Sequence, residues 1–137
     1  MQRLSLILAL LTWQGTCWSQ SVVVVVRADT SINALSREEV ANIFLGRNAF
    51  LPNKEKVVPI DAPEQSGIYA QFHELVTLKS PTQLKAYWAK MVFAGASVPP
   101  RELEASVAAR LVASDGAFIA YVDRKWVTDK MKVVYAF

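Results

Sequence analysis

The sequence predicts one three-layer α/β domain, a mixed and mostly parallel sheet flanked by helices. Three observations carry this expectation. Five consecutive valines, Val22 to Val26, form a β-branched run without polar alternation, the pattern of a central, parallel strand buried on both faces. Strand-like and helix-like segments then alternate, several of the helices opened by a recognisable start signal. The length of 137 residues leaves room for one such domain and not two.

The elements follow in order. Ser21 to Arg27 is the first strand. Ser36 opens a helix: its hydroxyl can accept from the Glu39 amide while the Glu39 carboxylate reaches back, with Leu35 and Val40 placed as a hydrophobic staple. Val40, Ile43 and Phe44 share one face, and Gly46 ends the helix. Arg47 to Lys56 reads as a polar loop. Val57 to Ile60 is a short strand, with Pro59 pointing to an irregular or edge position. Ser66-Gly67 begins a second helix with Ile68, Phe72, Leu75 and Val76 on one face. Ser80-Pro81-Thr82-Gln83 combines an N-cap serine, proline at the first helical position and glutamine at the third. The third helix then carries Leu84, Tyr87, Trp88, Met91 and Val92 to a stop near Gly95. Pro99-Pro100 starts a fourth helix with Leu103, Val107 and Leu111 inward. Ala117 to Val122 and Lys132 to Phe137 are strands, separated by a short helical turn at Lys125 to Asp129.

Composition excludes several functions. Hydrophobic residues are 53% and charged residues 20% of the chain, so disordered, collagen-like and coiled-coil classes are out. The net charge of +3 is small and scattered, which is no nucleic-acid footprint. One cysteine permits neither an internal disulfide nor a cysteine-based zinc site. The amino terminus reads as a secretory signal peptide over residues 1–19: a basic start at Arg3, the apolar run Leu4 to Leu11, and Cys17 and Ser19 at the −3 and −1 positions of a cut after Ser19. Residues 20–137 then form the exported domain, free of cysteine and with no later run long enough to span a bilayer.

Catalytic chemistry has little to stand on. The lone His73 falls on the second helix, and such a histidine is expected at the surface or half-buried. A metal site needs further nitrogen or sulfur ligands, so none is expected. Ser66, His73 and Asp61 can be written as a triad, but His73 lies on the body of the helix that Ser66 starts, where its ring does not reach that hydroxyl. No nucleophile elbow, phosphate-binding loop or dinucleotide fingerprint occurs. The expectation is a protein that is not an enzyme and carries no cofactor. Among the aromatic residues, Tyr87 and Trp88 are expected in the core. Tyr69 and Trp126 remain candidates for an interaction surface.

One stretch has functional shape: Val57 to Phe72, VVPIDAPEQSGIYAQF, a strand, a polar loop and a helix start. The first amides of a helix and the positive end of its dipole attract anions. Ser66 either caps its own helix or donates its hydroxyl to a ligand, and Gly67 lets a ligand approach the backbone.

Four stretches together resemble a known family. They are Leu35 to Gly46 (LSREEVANIFLG) with Arg47, Val57 to Phe72, Ser80 to Gly95 (SPTQLKAYWAKMVFAG), and Gly116 to Val122 (GAFIAYV). They are similar to small, stand-alone domains related to the phosphate-binding protein of bacterial ABC transporters, in the type 2 periplasmic binding protein superfamily. The resemblance implies the fold of a single lobe of such a protein and a periplasmic location. Its phosphate-contacting segment reads R-x-x-x-S-G-T. Ser66 and Gly67 match it, whereas Ala62 stands at the arginine and Ile68 at the threonine. Gln65, Ser66, Gly67 and Ile68 are therefore the candidate ligand-binding residues, for phosphate or another small anion, in ABC-type uptake or sensing. One lobe offers only half of the usual cleft. The alternative is a periplasmic protein-interaction module that kept the lobe and lost the ligand, working with a protein partner or as a homo-oligomer. No nucleic acid and no membrane span after signal cleavage are expected.

Overall fold

The computed structural model describes residues 21–137, so the expected signal peptide lies outside the described residues. The elements are β1 (Val22–Arg27), α1 (Arg37–Phe44), β2 (Val58–Asp61), α2 (Gly67–Phe72), α3 (Pro81–Phe93), β3 (Arg101–Glu102), α4 (Ala105–Ser114), β4 (Phe118–Asp123) and β5 (Met131–Ala136). A π-helical turn, His73–Thr77, continues α2, and a 3-10 turn, Arg124–Trp126, leads from β4 toward β5.

The five strands form one sheet in the order β3-β2-β4-β1-β5. The valine run makes β1, flanked on both sides and buried throughout. Its side chains alternate. Val22, Val24 and Val26 join the core under α1, α2 and α3, with Phe44, Phe72, Leu84 and Trp88. Val23 and Val25 join a second core under α4, with Ala108, Ala109 and Val112. An unbroken run is therefore what a strand between two helical layers requires. Fully burying each valine contributes roughly 1.5–3 kcal/mol.

One expectation is corrected. β1 is central but antiparallel, pairing with β4 (Val24 opposite Tyr121) and with β5 (Val24 opposite Tyr135). Parallel pairing is confined to β2 with β3 and β2 with β4, so the sheet divides evenly. Double-sided burial reports helices on both faces and carries no information about strand direction. The pairing of β1 with β5 is irregular between Val24 and Val25. There the Val134 carbonyl accepts from Leu35 N–H (2.8 Å), which anchors the entry to α1.

Both expected capping boxes form. The Ser36 hydroxyl accepts from Glu39 N–H and the Glu39 side chain from Ser36 N–H. Ser80 and Gln83 do the same for α3. Pro59 lies in β2 without breaking the sheet. Val58 N–H donates to the Ala117 carbonyl beside β4, and strand alternation turns the Pro59 nitrogen to the opposite side. β3 pairs only with Ile60 and Asp61, so no ladder donor is required there.

The fourth helix begins later than expected. Pro99-Pro100 leads into an extended segment, consistent with the bias that proline places on its predecessor. Arg101 and Glu102 become the edge strand β3, and Leu103 N–H donates to the Asp61 carbonyl. Ala108, Ala109 and Val112 are then the buried face of α4, with Val107 and Leu111 half-buried. No helix among the described residues is long and apolar enough to cross a membrane.

Candidate functional site

The loop from Ala62 to Ser66 connects the end of β2 to the start of α2. It is drawn tight by the Pro63 carbonyl, which accepts from Ser66 N–H (2.8 Å) and from the Ser66 hydroxyl (2.7 Å). Ser66 occupies the N-cap position with extended backbone but makes no side-chain cap. The hydroxyl donates to the Pro63 carbonyl instead, so the capping role expected of Ser66 is not taken up. Tyr69 N–H donates to the Ser66 carbonyl (3.2 Å), and the Gly67 and Ile68 amides ahead of it precede any intrahelical acceptor. Gly67 is exposed, and a Cβ placed there would meet nothing within 4 Å. Gln65 is exposed, while Ile68 is half-buried against the core.

The structure thus brings Gln65, Ser66, Gly67 and Ile68 together at an open helix start, without a surrounding wall. Three surface clefts, of about 680, 400 and 410 Å3, lie elsewhere. The largest of the three runs between α4 and the segment that leads into β5, past Arg110, Trp126 and Met131.

The two positions that depart from the phosphate-contacting motif have packing roles. Ala62 is 5% exposed and belongs to the core beneath α1, α2 and α3. Ile68 packs on the same core. The nearby acids are also accounted for. Glu64 lies 3.8 Å from Lys85 in an exposed pair, and Asp61 is turned inward.

Sequence reasoning placed His73 at the surface or half-buried, and this is corrected: the ring is fully buried. Its Nε2 lies 3.1 Å from both carboxylate oxygens of Asp61, and its Nδ1 3.2 Å from the Thr77 hydroxyl. That hydroxyl donates to the His73 carbonyl (2.9 Å). Tyr121 donates its phenolic hydrogen to Asp61 Oδ1, and Ala62 N–H is shared between Oδ1 and the Tyr121 oxygen, 3.1 Å from each. Burial first, and the Asp61 charge second, push the Tyr121 phenol far up from its ordinary value. Tyr69, edge-on to His73 at 4.6 Å, is raised for the same two causes. Tyr69 is therefore a core residue and not part of an interaction surface.

A carboxylate, an imidazole and a hydroxyl in a row have the outline of a nucleophilic triad. Its hydroxyl is Thr77, 6% exposed and bonded to the main chain, not Ser66. Here the row joins the end of β2 to the end of α2. Phe72, stacked on Tyr121 at 3.8 Å and 6°, fixes the same helix to β4. The signal that could have revealed the network was the spacing of one acid and one histidine across a short strand-loop-helix unit.

Known structures share this fold. A phosphate ABC transporter substrate-binding protein from Clostridium perfringens, solved with bound phosphate, matches 83% of the chain with a TM-score of 0.66 and 16% identity. An ABC-type phosphate transport receptor from Vibrio cholerae matches 83% with a TM-score of 0.64 and 15% identity. PstS from Borrelia burgdorferi matches 83% with a TM-score of 0.61 and 11% identity. The matched part is 44%, 45% and 46% of those chains, respectively, so this chain spans less than half of their length. No protein-family model matches, and neither does any curated protein sequence. These neighbours are a substrate-binding protein and a transport receptor. The protein has the α/β fold of a single lobe of the phosphate-binding proteins of ABC transporters.

Proposed function

We propose that the chain is an exported, periplasmic solute-binding-like protein that takes phosphate or a related oxyanion weakly at Gln65, Ser66, Gly67 and Ile68, for ABC-type uptake or sensing. The reading assigns it no enzymatic step. The observation that carries it is the open, uncapped start of α2, in a fold shared with phosphate receptors. The Gly67 and Ile68 amides are the donors, and Gln65 stands beside them. A few main-chain hydrogen bonds at about 0.5–1.5 kcal/mol each hold an anion only in the millimolar range.

Titrating inorganic phosphate at low ionic strength, read from backbone amide NMR shifts, tests this. Saturating shifts confined to residues 65–68, absent with chloride at equal ionic strength, are expected. Phosphate-independent spectra would remove the site. Export through the leader is tested separately by N-terminal sequencing of the periplasmic protein, with Gln20 expected as the first residue.

A second reading is a periplasmic interaction module. It is favoured by exposed apolar side chains around the end of α3: Val92, Val98 and Phe93, the last 96% exposed. A photocrosslinker at position 93 should capture a protein partner or a second copy. Phosphate should then have no effect.

A further inference from the structure

The segment Met91 to Pro100, MVFAGASVPP, contains no charged residue. Its apolar side chains are largely left outside the fold. Val92, Phe93 and Val98 are exposed, Phe93 almost completely, and so are Ala94, Gly95, Ala96 and Pro99. The segment is rooted by Met91, which packs on the core, and by Ser97, which lies against Gly46. Phe93 is thus a convex tip at the end of α3. Contiguous exposed apolar surface of this kind marks an interaction site. The backbone of the tip is also suited to leaving water. Ala94 N–H donates to the Lys90 carbonyl, Gly95 N–H to that of Val92 and Ala96 N–H to that of Met91, each at 3.0 Å. Pro99 and Pro100 have no N–H to satisfy. Paired main-chain donors are what an apolar medium demands.

Cations border this tip. Lys90 precedes Phe93 by one helical turn, on the same side of α3. Arg101 follows the segment, and Arg101 and Lys56 line the cleft of about 410 Å3 beside Val98. The lining of that cleft includes no acid; Glu102 follows Arg101 in the chain but is not part of it. Among the described residues, Lys56, Lys90 and Arg101 are exposed and in no ion pair. We propose that the Met91–Pro100 segment docks on an anionic bilayer surface, with Val92, Phe93 and Val98 entering the interface and Lys56, Lys90 and Arg101 beside the lipid phosphates. Two features select a bilayer over a protein partner. A protein has to offer a hollow matched to a convex tip, whereas a bilayer yields around it. An apolar tip bordered by unpaired cations is also complementary to hydrocarbon lying under a negative surface. The start of α2 takes no part in this docking, so it stands apart from the phosphate reading. It uses the same side chains as the interaction-module reading and assigns them a different occupant.

Amide NMR of the purified protein with nanodiscs of phosphatidylglycerol, carrying a doxyl-labelled lipid, tests the docking. Paramagnetic broadening is expected at residues 91–100, strongest at Phe93, and not at residues 65–68. Co-sedimentation with vesicles supplies the affinities. Phe93→Ser changes a side chain that packs against almost nothing, so the fold is kept, and it should weaken binding to phosphatidylglycerol vesicles about tenfold or more. Lys90→Gln and Arg101→Gln should each weaken it about fivefold, and added salt should weaken it as well. Absence of binding, equal binding to phosphatidylcholine vesicles, indifference to Phe93→Ser, or broadening that misses residues 91–100 overturns the proposal. Capture of a protein by a crosslinker at position 93, with vesicles ignored, also overturns it and supports the interaction module. No phosphate is added, so the outcome is independent of whether the helix start holds an anion.

Discussion

The His73 imidazole faces the Asp61 carboxylate squarely, 3.1 Å from each oxygen, and the two residues bracket the Ala62–Ser66 loop together with α2. Neither side chain is more than 5% exposed. Removing one partner leaves the other buried and unsatisfied, at about 3–5 kcal/mol. His73→Ala and Asp61→Ala are each expected to lose that much in urea unfolding. Tyr121→Phe deletes one donor and keeps the stacked ring, so about 1–3 kcal/mol is expected.

Alkali should unfold the protein through its buried phenols. Burial and the Asp61 charge raise both Tyr69 and Tyr121. A raised phenol keeps its proton in the folded chain after the unfolded chain has lost it. The contribution is complete below the ordinary tyrosine value of about 10 and declines as pH climbs beyond it. Stability measured from neutral pH upward should therefore fall steeply in strong alkali. In Tyr121→Phe that decline should be shallower.

Gly46 and Gly95 both end helices with left-handed backbone, φ +69° and +66°. They differ in surroundings. A Cβ at Gly46 would collide with the Ser97 hydroxyl and come within 3.3 Å of the Trp88 ring, whereas at Gly95 it meets nothing. Gly95→Ala is expected to cost about 1 kcal/mol, the backbone penalty alone. Gly46→Ala should cost more, by about 1–3 kcal/mol of overpacking. Thermal melts of the two variants provide the comparison.

Three serines precede helices, and they should not behave alike. Ser36→Ala and Ser80→Ala each remove an N-cap at about 1 kcal/mol. Ser66→Ala removes only the bond to the Pro63 carbonyl, about 0.5–1.5 kcal/mol, and frees that loop to move. Amide exchange should therefore quicken at residues 63–67 in Ser66→Ala. In the other two it should quicken at the first turns of α1 and α3.

Much of the architecture was legible because local signals agreed. The valine run, two capping boxes and Gly46 lie where short-range chemistry decides the outcome. Strand direction was not legible, since burial of Val22–Val26 looks the same for either polarity. β3 was missed because Arg101 and Glu102 carry no strand pattern of their own. Their pairing with Ile60 and Asp61 makes them a strand. The candidate site was legible as a location, Gln65 to Ile68, but not in its details. Whether a serine hydroxyl bonds forward to an amide or back to a proline carbonyl depends on loop shape. His73 was misplaced for a similar reason: its burial depends on Asp61 and Tyr121, which only the tertiary fold brings to it.

The position of β1 has a consequence for biogenesis. Among the described residues β1 comes first in chain order, and it is zipped between β4 and β5, which come last. The middle of the sheet therefore stays unfinished until translation has passed Ala136, and such long-range closure is slow. Until then five adjacent valines are an adhesive stretch without a mate. Chains halted before β5 should clump, and the nascent protein should depend on a holdase until β5 has emerged.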